Sequence, residues 1–250
     1  MADHFVYVYA VGEAGIALPP LVGVEGSPVQ TLQEGDLVAV VSPVDPVRFG
    51  EEALRHSLED LQWLEATARA HYGVVEAVGA ENLVAPLRMA TIYLDESGVR
   101  SLLRERADEF TAALDRIRGR TEWGVKAFAV AGAPAESVPA PTDRPGTAYL
   151  MRRRAARDAA TTGRRRAVDA AEELHRELAG RSAASRRYPP QDPRLTGRRD
   201  EMVLNASYLV EREEAERFRA LVEGWTSDAV RLELTGPWTP YSFATFLEEP

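Results

Sequence analysis

Nine residues near the end of the chain limit its possible folds more than any other stretch. Met202, Leu204, Ala206, Tyr208 and Val210 alternate with Val203, Asn205, Ser207 and Leu209. That is the period of two expected of a β-strand, whose successive side chains point to opposite faces. A charged stretch that reads as a helix, Glu211 to Glu223, comes next. Val230, Leu232 and Leu234 then alternate with Arg231, Glu233 and Thr235, as in a half-exposed strand. A chain that ends strand–helix–strand has to bury a sheet face under helices.

The residues upstream extend this pattern. Trp123 to Val130 reads as a strand, and Pro134, Pro139, Pro141 and Pro145 rule out regular structure in the loop that follows. A basic helix is expected from near Gly146 to about Ala179, with Gly163 as a candidate break; unbroken, it would be roughly 50 Å long. Ser182 to Arg199 is polar and proline-marked and reads as a mobile loop. The second half is then β, long α, β, α, β, which suggests a ferredoxin-like sandwich with helices on one sheet face.

The first half has its own pattern. Phe5, Tyr7 and Tyr9 lie on one face of an opening strand. Leu21 to Glu25, Leu37 to Ser42 and Leu87 to Leu94 read as further strands. A helix is expected from about Gly50 to Tyr72 with Leu54, Leu58, Leu61, Leu64, Ala68 and Tyr72 as its core stripe. A second helix, capped by Ser97, would bury Val99, Leu103, Phe110, Leu114 and Ile117. Gly119-Arg120-Thr121 marks the end of this part. The expectation is an α+β protein of two domains, residues 1–119 and 120–250. The second would carry an arginine-rich helical arm (about 146–199) and an aromatic C-terminal tail.

Composition narrows the function. The 250 residues are 45% hydrophobic and 28% charged, and contain no cysteine. Disulfides, thiolate chemistry and cysteine metal sites are therefore excluded. No apolar run approaches the roughly 20 residues of a membrane span, and the first residues carry no signal-type stretch, so a cytoplasmic location is expected. The net charge of −9 is unevenly spread. Residues 144–199 hold fifteen arginines against six acids, a local +9, which leaves −18 for the rest. A basic arm on an acidic body suggests a polarised binding protein.

Catalytic patterns are missing from the sequence. The four histidines, His4, His56, His71 and His175, form no HExxH pair. There is no GxSxG, GxxxxGK[ST] or GxGxxG. Glu51-Glu52 and Glu59-Asp60 fall off the apolar stripe and read as a solvated face. No catalytic residue, cofactor or metal ligand is assigned.

The binding candidates are aromatic and basic. Projected from Leu54, Trp63 falls about 180° away, opposite the stripe, so it either packs on the second domain or faces a partner. Trp238, Tyr241 and Phe243 of the tail are further candidates, although such tails usually pin themselves to their own domain. Arg152, Arg153 and Arg154 could grip phosphates, so nucleic-acid binding through the arm (152–199) is the alternative reading. The arm has only Tyr149 and Tyr188 for base stacking, however, and its arginines could instead pair with acids of the first domain.

Several stretches together resemble the gas vesicle protein L/F family. They are Tyr7-Val8-Tyr9-Ala10-Val11, Leu61-Gln62-Trp63-Leu64 through Ala70-His71, Pro86-Leu87-Arg88-Met89-Ala90-Thr91, Glu122-Trp123-Gly124-Val125-Lys126, Gly146-Thr147-Ala148-Tyr149-Leu150, Asn205 to Val210, and the tail Gly236-Pro237-Trp238-Thr239-Pro240-Tyr241-Ser242-Phe243. The resemblance runs in order from about residue 5 to 246, and the tail is its most specific piece. It implies two domains, the second a modified ferredoxin-like fold, and no enzymatic activity. It also implies binding to the small hydrophobic shell protein during vesicle formation, contacts with other accessory proteins in some members, and presence in the vesicle.

Overall fold

Two antiparallel sheets organise the chain in a computed structural model that describes residues 4–130, 145–191 and 200–244. Of residues 145–148, 150 and 152 it describes the backbone only. The chain divides into two compact units, residues 1–121 with 238–250, and residues 122–237.

The first unit is built on β1 (Phe5–Glu13), β2 (Gln30–Glu34), β3 (Leu37–Val44), β4 (Val84–Pro86) and β5 (Ile92–Tyr93). The strand order is β2-β3-β1-β4, and β5 also pairs with β1. β1 and β3 run antiparallel from Phe5 opposite Val44 to Glu13 opposite Leu37, with a register shift between Val8 and Ala10. Val6 to Val11 are all buried, as a central strand covered on both faces requires. Tyr7 and Tyr9 belong to a core with Phe49, Val74, Val75 and Val78, and Phe5 packs at its margin.

The helices of this unit are α1 (Pro46–Phe49), α2 (Glu51–Ser57), α3 (Leu61–Gly79), α4 (Glu96–Glu105) and α5 (Ala107–Ile117). Here several expectations are corrected. The helix expected over Gly50 to Tyr72 is two helices, because Asp60 caps a new one by accepting from the amides of Gln62 and Trp63. The break resets the helical phase. The buried face of α3 is Thr67, His71, Val74, Val75 and Val78, whereas Leu61 is 79% and Tyr72 51% exposed. Leu21 to Glu25 is not a strand: Val22 makes an isolated bridge to Pro28, and a 3-10 turn covers Val24–Gly26. Leu87 to Leu94 turns between β4 and β5 rather than running straight. Asp95, not Ser97, caps α4, accepting from the Gly98 amide at 2.9 Å and from the Ser97 hydroxyl at 2.6 Å. The single helix expected here is two, α4 and α5, parted at Arg106, and its expected apolar residues, Val99, Leu103, Phe110, Leu114 and Ile117, are buried.

The second unit contains β6 (Arg120–Ala129), α6 (Pro145–Gly180), β7 (Ala184–Arg187), β8 (Met202–Glu211), α7 (Ala215–Gly224) and β9 (Val230–Trp238). The sheet order is β7-β8-β6-β9. Trp123, Val125, Ala127, Leu204, Ala206, Tyr208 and Val210 of the sheet meet Ala167, Ala171, Leu174 and Leu178 of α6, and Phe218 and Val222 of α7. Helix α6 passes through Gly163 without interruption. Part of the loop expected over Ser182 to Arg199 is strand β7, paired antiparallel with β8 from Ala184–Leu209 to Arg187–Ala206. Its sequence, Ala-Ser-Arg-Arg, hides this, because an edge strand can carry polar side chains that alternation does not reveal. Residues 192–199, and the prolines of the expected loop at 134, 139 and 141, lie outside the described residues.

Candidate partner-binding surfaces

Each unit holds a tyrosine–histidine pair between its sheet and a helix, buried in the first unit and half-buried at His175 in the second. In the first, the Tyr7 hydroxyl accepts from the Ala90 amide at 2.9 Å and lies 3.1 Å from His71 Nδ1. The imidazole tautomer sets which of the two groups donates in that contact. His71 Nε2 has no hydrogen-bond partner among the described residues. Burial holds the His71 pKa down at about 4, with the Leu87 main chain acting weakly the other way, and burial raises that of Tyr7. In the second unit, His175 Nδ1 lies 2.8 Å from the Tyr208 hydroxyl. Burial, then nearby Arg187, lowers the His175 pKa, while Arg187 forks onto Glu172 at 2.6 and 3.0 Å. A buried imidazole held neutral near pH 7, as at His71, serves packing and hydrogen bonding. Among the described residues, no three His, Cys, Asp or Glu side chains are placed to share a metal.

The aromatic candidates separate clearly. Trp63 does not lie opposite the core: it packs on Phe49 with ring centroids 6.0 Å apart, at the margin of the first unit's core. Its expected outward position came from carrying the phase of Leu54 across the break at Leu58 to Asp60. Residues 238–244 pack with the first unit, not with the second half to which the tail was expected to belong. Tyr241 stacks edge-on against Tyr72 at 5.1 Å and tilts toward His71 at 6.3 Å. Phe243 is buried, its carbonyl accepting from Arg116 at 3.4 Å. Tyr241 and Phe243 are thus held inside their own unit, whereas Trp238 is 50% exposed. The entry of the tail depends on Gly236. Its φ is +120°, and a Cβ there would stand 2.8 Å from the Glu122 carbonyl.

The basic arm has two halves. From Ala167 onward α6 is seated on the sheet. From Tyr149 to Thr162 every described side chain is exposed. Arg164 pairs with Glu201 at 2.7 Å and Arg166 with Asp228 at 2.9 Å, so these acids belong to the second unit and not to the first domain. Arg153, Arg157 and Arg165 have no ion pair among the described residues, and Arg154 reaches Asp158 only at 4.0 Å. Arg152 lies on the helix, but its side chain is outside the described set.

One groove was not foreseen. Val222, Trp225, Val230, Leu232 and Leu234, together with Glu223, Thr226 and Ser227, line an open hollow of about 430 Å³ between α7 and the edge strand β9. The buried Nε1 of Trp225 has no hydrogen-bond partner among the described residues. The signal available in the sequence was a tryptophan directly after the glycine that ends a helix, followed by an alternating strand at a sheet edge.

The comparisons with known proteins agree with one another. Residues 5–245 match the family model described as gas vesicle synthesis protein GvpL/GvpF. The chain is similar to gas vesicle protein L of Streptomyces sp. (strain CB03234), with 43% identity over 99% of this chain and 95% of that one. It is also similar to gas vesicle protein F of the same organism, with 30% identity over 95% and 98%. Among solved structures it resembles the GvpF crystal structure from Microcystis aeruginosa, with a TM-score of 0.66, 19% identity and coverage of 97% and 99%. The GvpF structure from Anabaena sp. PCC7120 gives a TM-score of 0.67 at 17% identity, covering 99% and 98%. At those identities the two structures bear on the fold alone.

Proposed function

The chain belongs to the GvpL/GvpF family of gas vesicle synthesis proteins, and from that premise we propose that it is a non-catalytic accessory protein that binds the hydrophobic shell protein in the cytoplasm and helps nucleate and assemble the vesicle. The observation that carries this reading is the match of nearly the whole chain, residues 5–245, to a family named for gas vesicle synthesis. The second unit is proposed to be a modified ferredoxin-like domain. The element order β-α-β-β-α-β and the strand order β7-β8-β6-β9 support that.

The groove beside β9 is the proposed seat for shell protein. It joins two features such a contact needs: an aliphatic strip of Val222, Val230, Leu232 and Leu234, and an edge strand that an incoming strand could extend. An unassembled shell subunit presents apolar surface that aggregates when uncovered. The exposed Trp238 is a second candidate contact, and other accessory proteins are further proposed partners.

Co-purification of tagged protein with co-expressed shell protein, at about 0.1 M and 0.5 M salt, tests the reading. Capture through apolar contact should survive the higher salt and fall with Leu232→Glu. Loss of capture at the higher salt, with nucleic acid eluting in place of shell protein, would count for the arginine-arm alternative.

A further inference from the structure

Strand β9 closes one side of the second sheet, with no strand beyond it among the described residues. On the side toward β6, the Val130 amide donates to the Ala229 carbonyl at 2.9 Å. In an antiparallel strand the main-chain groups of alternate residues point to the same side. Those of Arg231, Glu233 and Thr235 therefore turn toward β6, while those of Val230, Leu232 and Leu234 turn outward from the sheet. Such an edge is a template for another strand unless something blunts it, and a proline is one common device. From Val230 to Thr235 there is none.

The side chains divide by face. Val230, Leu232 and Leu234 lie on the core face beside Val222 of α7, Val230 buried and the two leucines half-buried. Arg231 and Glu233 lie on the other face. There Arg231 covers the Phe128 ring at 5.0 Å and reaches Glu233 at 2.9 Å and Asp200 at 3.1 Å. The run Val230-Arg231-Leu232-Glu233-Leu234 complements itself when reversed. Turned about Leu232, valine meets leucine and arginine meets glutamate.

We infer that β9 pairs antiparallel with β9 of a second copy of this chain, about a two-fold axis at Leu232. In that register the outward main-chain groups of Leu232 bond those of the partner's Leu232, and Val230 bonds the partner's Leu234. Arg231 stands opposite the partner's Glu233 in a non-hydrogen-bonded pair, where Cβ atoms approach to about 4.5–5.5 Å. On the core face the half-buried leucines of the two copies cover one another. Shifted registers lose the charge match. Centred on Leu234, Arg231 would face Pro237 and Glu233 would face Thr235; centred on Val230, they would face Ala229 and Ser227. The contact uses the same surface on both copies, so it closes as a dimer. It does not rest on shell binding, but it takes the same edge, so the two occupants exclude each other.

The test uses the purified full-length chain alone. Sedimentation velocity from about 1 to 100 µM should show monomer passing to dimer and nothing larger. Arg231→Glu and Glu233→Arg each set like charges opposite one another, and each should weaken the dimer by about tenfold or more. The double exchange Arg231→Glu/Glu233→Arg restores opposite charges and should dimerise as the wild type does. The two single variants, mixed one to one, should form a mixed dimer for the same reason. Circular dichroism checks that every variant is folded. A wild type that stays monomeric throughout overturns the inference; if Leu232→Glu then still lowers capture of shell protein, the edge is a seat for shell protein alone. The inference is equally overturned by single variants that dimerise as tightly as the wild type, or by a double exchange that fails to restore the dimer.

Discussion

At the scale of single residues, His71 is the most informative side chain. The fold pushes its pKa from the ordinary 6.5 down to about 4, chiefly by burial. Both folded and unfolded chains hold it neutral above 6.5, so its contribution to stability is complete there. As the pH falls below 6.5 the unfolded chain takes up a proton first, and stability drains away until about pH 4, where the folded chain is protonated too. The loss across that window amounts to about 3 kcal/mol. Urea titrations at pH 7, 5.5 and 4.5 should therefore show a steeper decline for the wild type than for His71→Phe. Parallel declines would mean that His71 keeps an ordinary pKa. Trp63→Ala now carries a different expectation from the one its sequence position suggested. The loss of its packing on Phe49 should cost about 1–3 kcal/mol of stability, read as a lower denaturation midpoint. That Trp63 matters was legible in the sequence, but the side on which it lies was not, and His71 was given no role there. Their orientation hangs on the Asp60 cap, a local signal two residues before Gln62 that a continuous apolar stripe conceals.

Among the elements, α6 is divided against itself. Leu174 and Leu178 are fully buried, and Leu174→Ala should cost about 2–5 kcal/mol. A glycine at the exposed Ala159 should cost about 1 kcal/mol or less, a matter of helix propensity alone. Hydrogen exchange on dilute protein should accordingly show amides from 167 to 180 far better protected than those from 149 to 162. Equal protection would mean that the first half is covered even in the monomer. The strands show which elements a sequence reveals. β8 and the start of β9 were plain because one face is buried and the other is not, so side-chain type follows position. β7 went unseen because its identity lies in main-chain pairing to β8 rather than in its side chains. The 3-10 turn at Val24–Gly26 replaced an expected strand because Glu25 and Gly26 take positive φ, +55° and +76°, which a strand does not hold.

For the whole molecule, the uneven charge visible in the sequence persists in the structure, but it is partly neutralised locally. Arg164 and Arg166 are matched by Glu201 and Asp228, whereas Arg153, Arg157 and Arg165 have no ion pair among the described residues. The groove beside β9 was illegible because it exists only once α7 and β9 come together, and no periodicity marks a space between two elements. The tail was recognisable as a motif, yet its destination was not, since a pattern of prolines and aromatics does not say which core will accept it. That destination has a consequence for the newly made chain. The first unit is made before residues 122–237 but takes up residues 238–244, whose Tyr241 packs on Tyr72 and His71, so during synthesis it waits, unfinished, while all of residues 122–237 are made and free to fold. A segment made after the second unit closes the unit made before it, and a stop codon placed just before Trp238 would injure the first unit rather than the second.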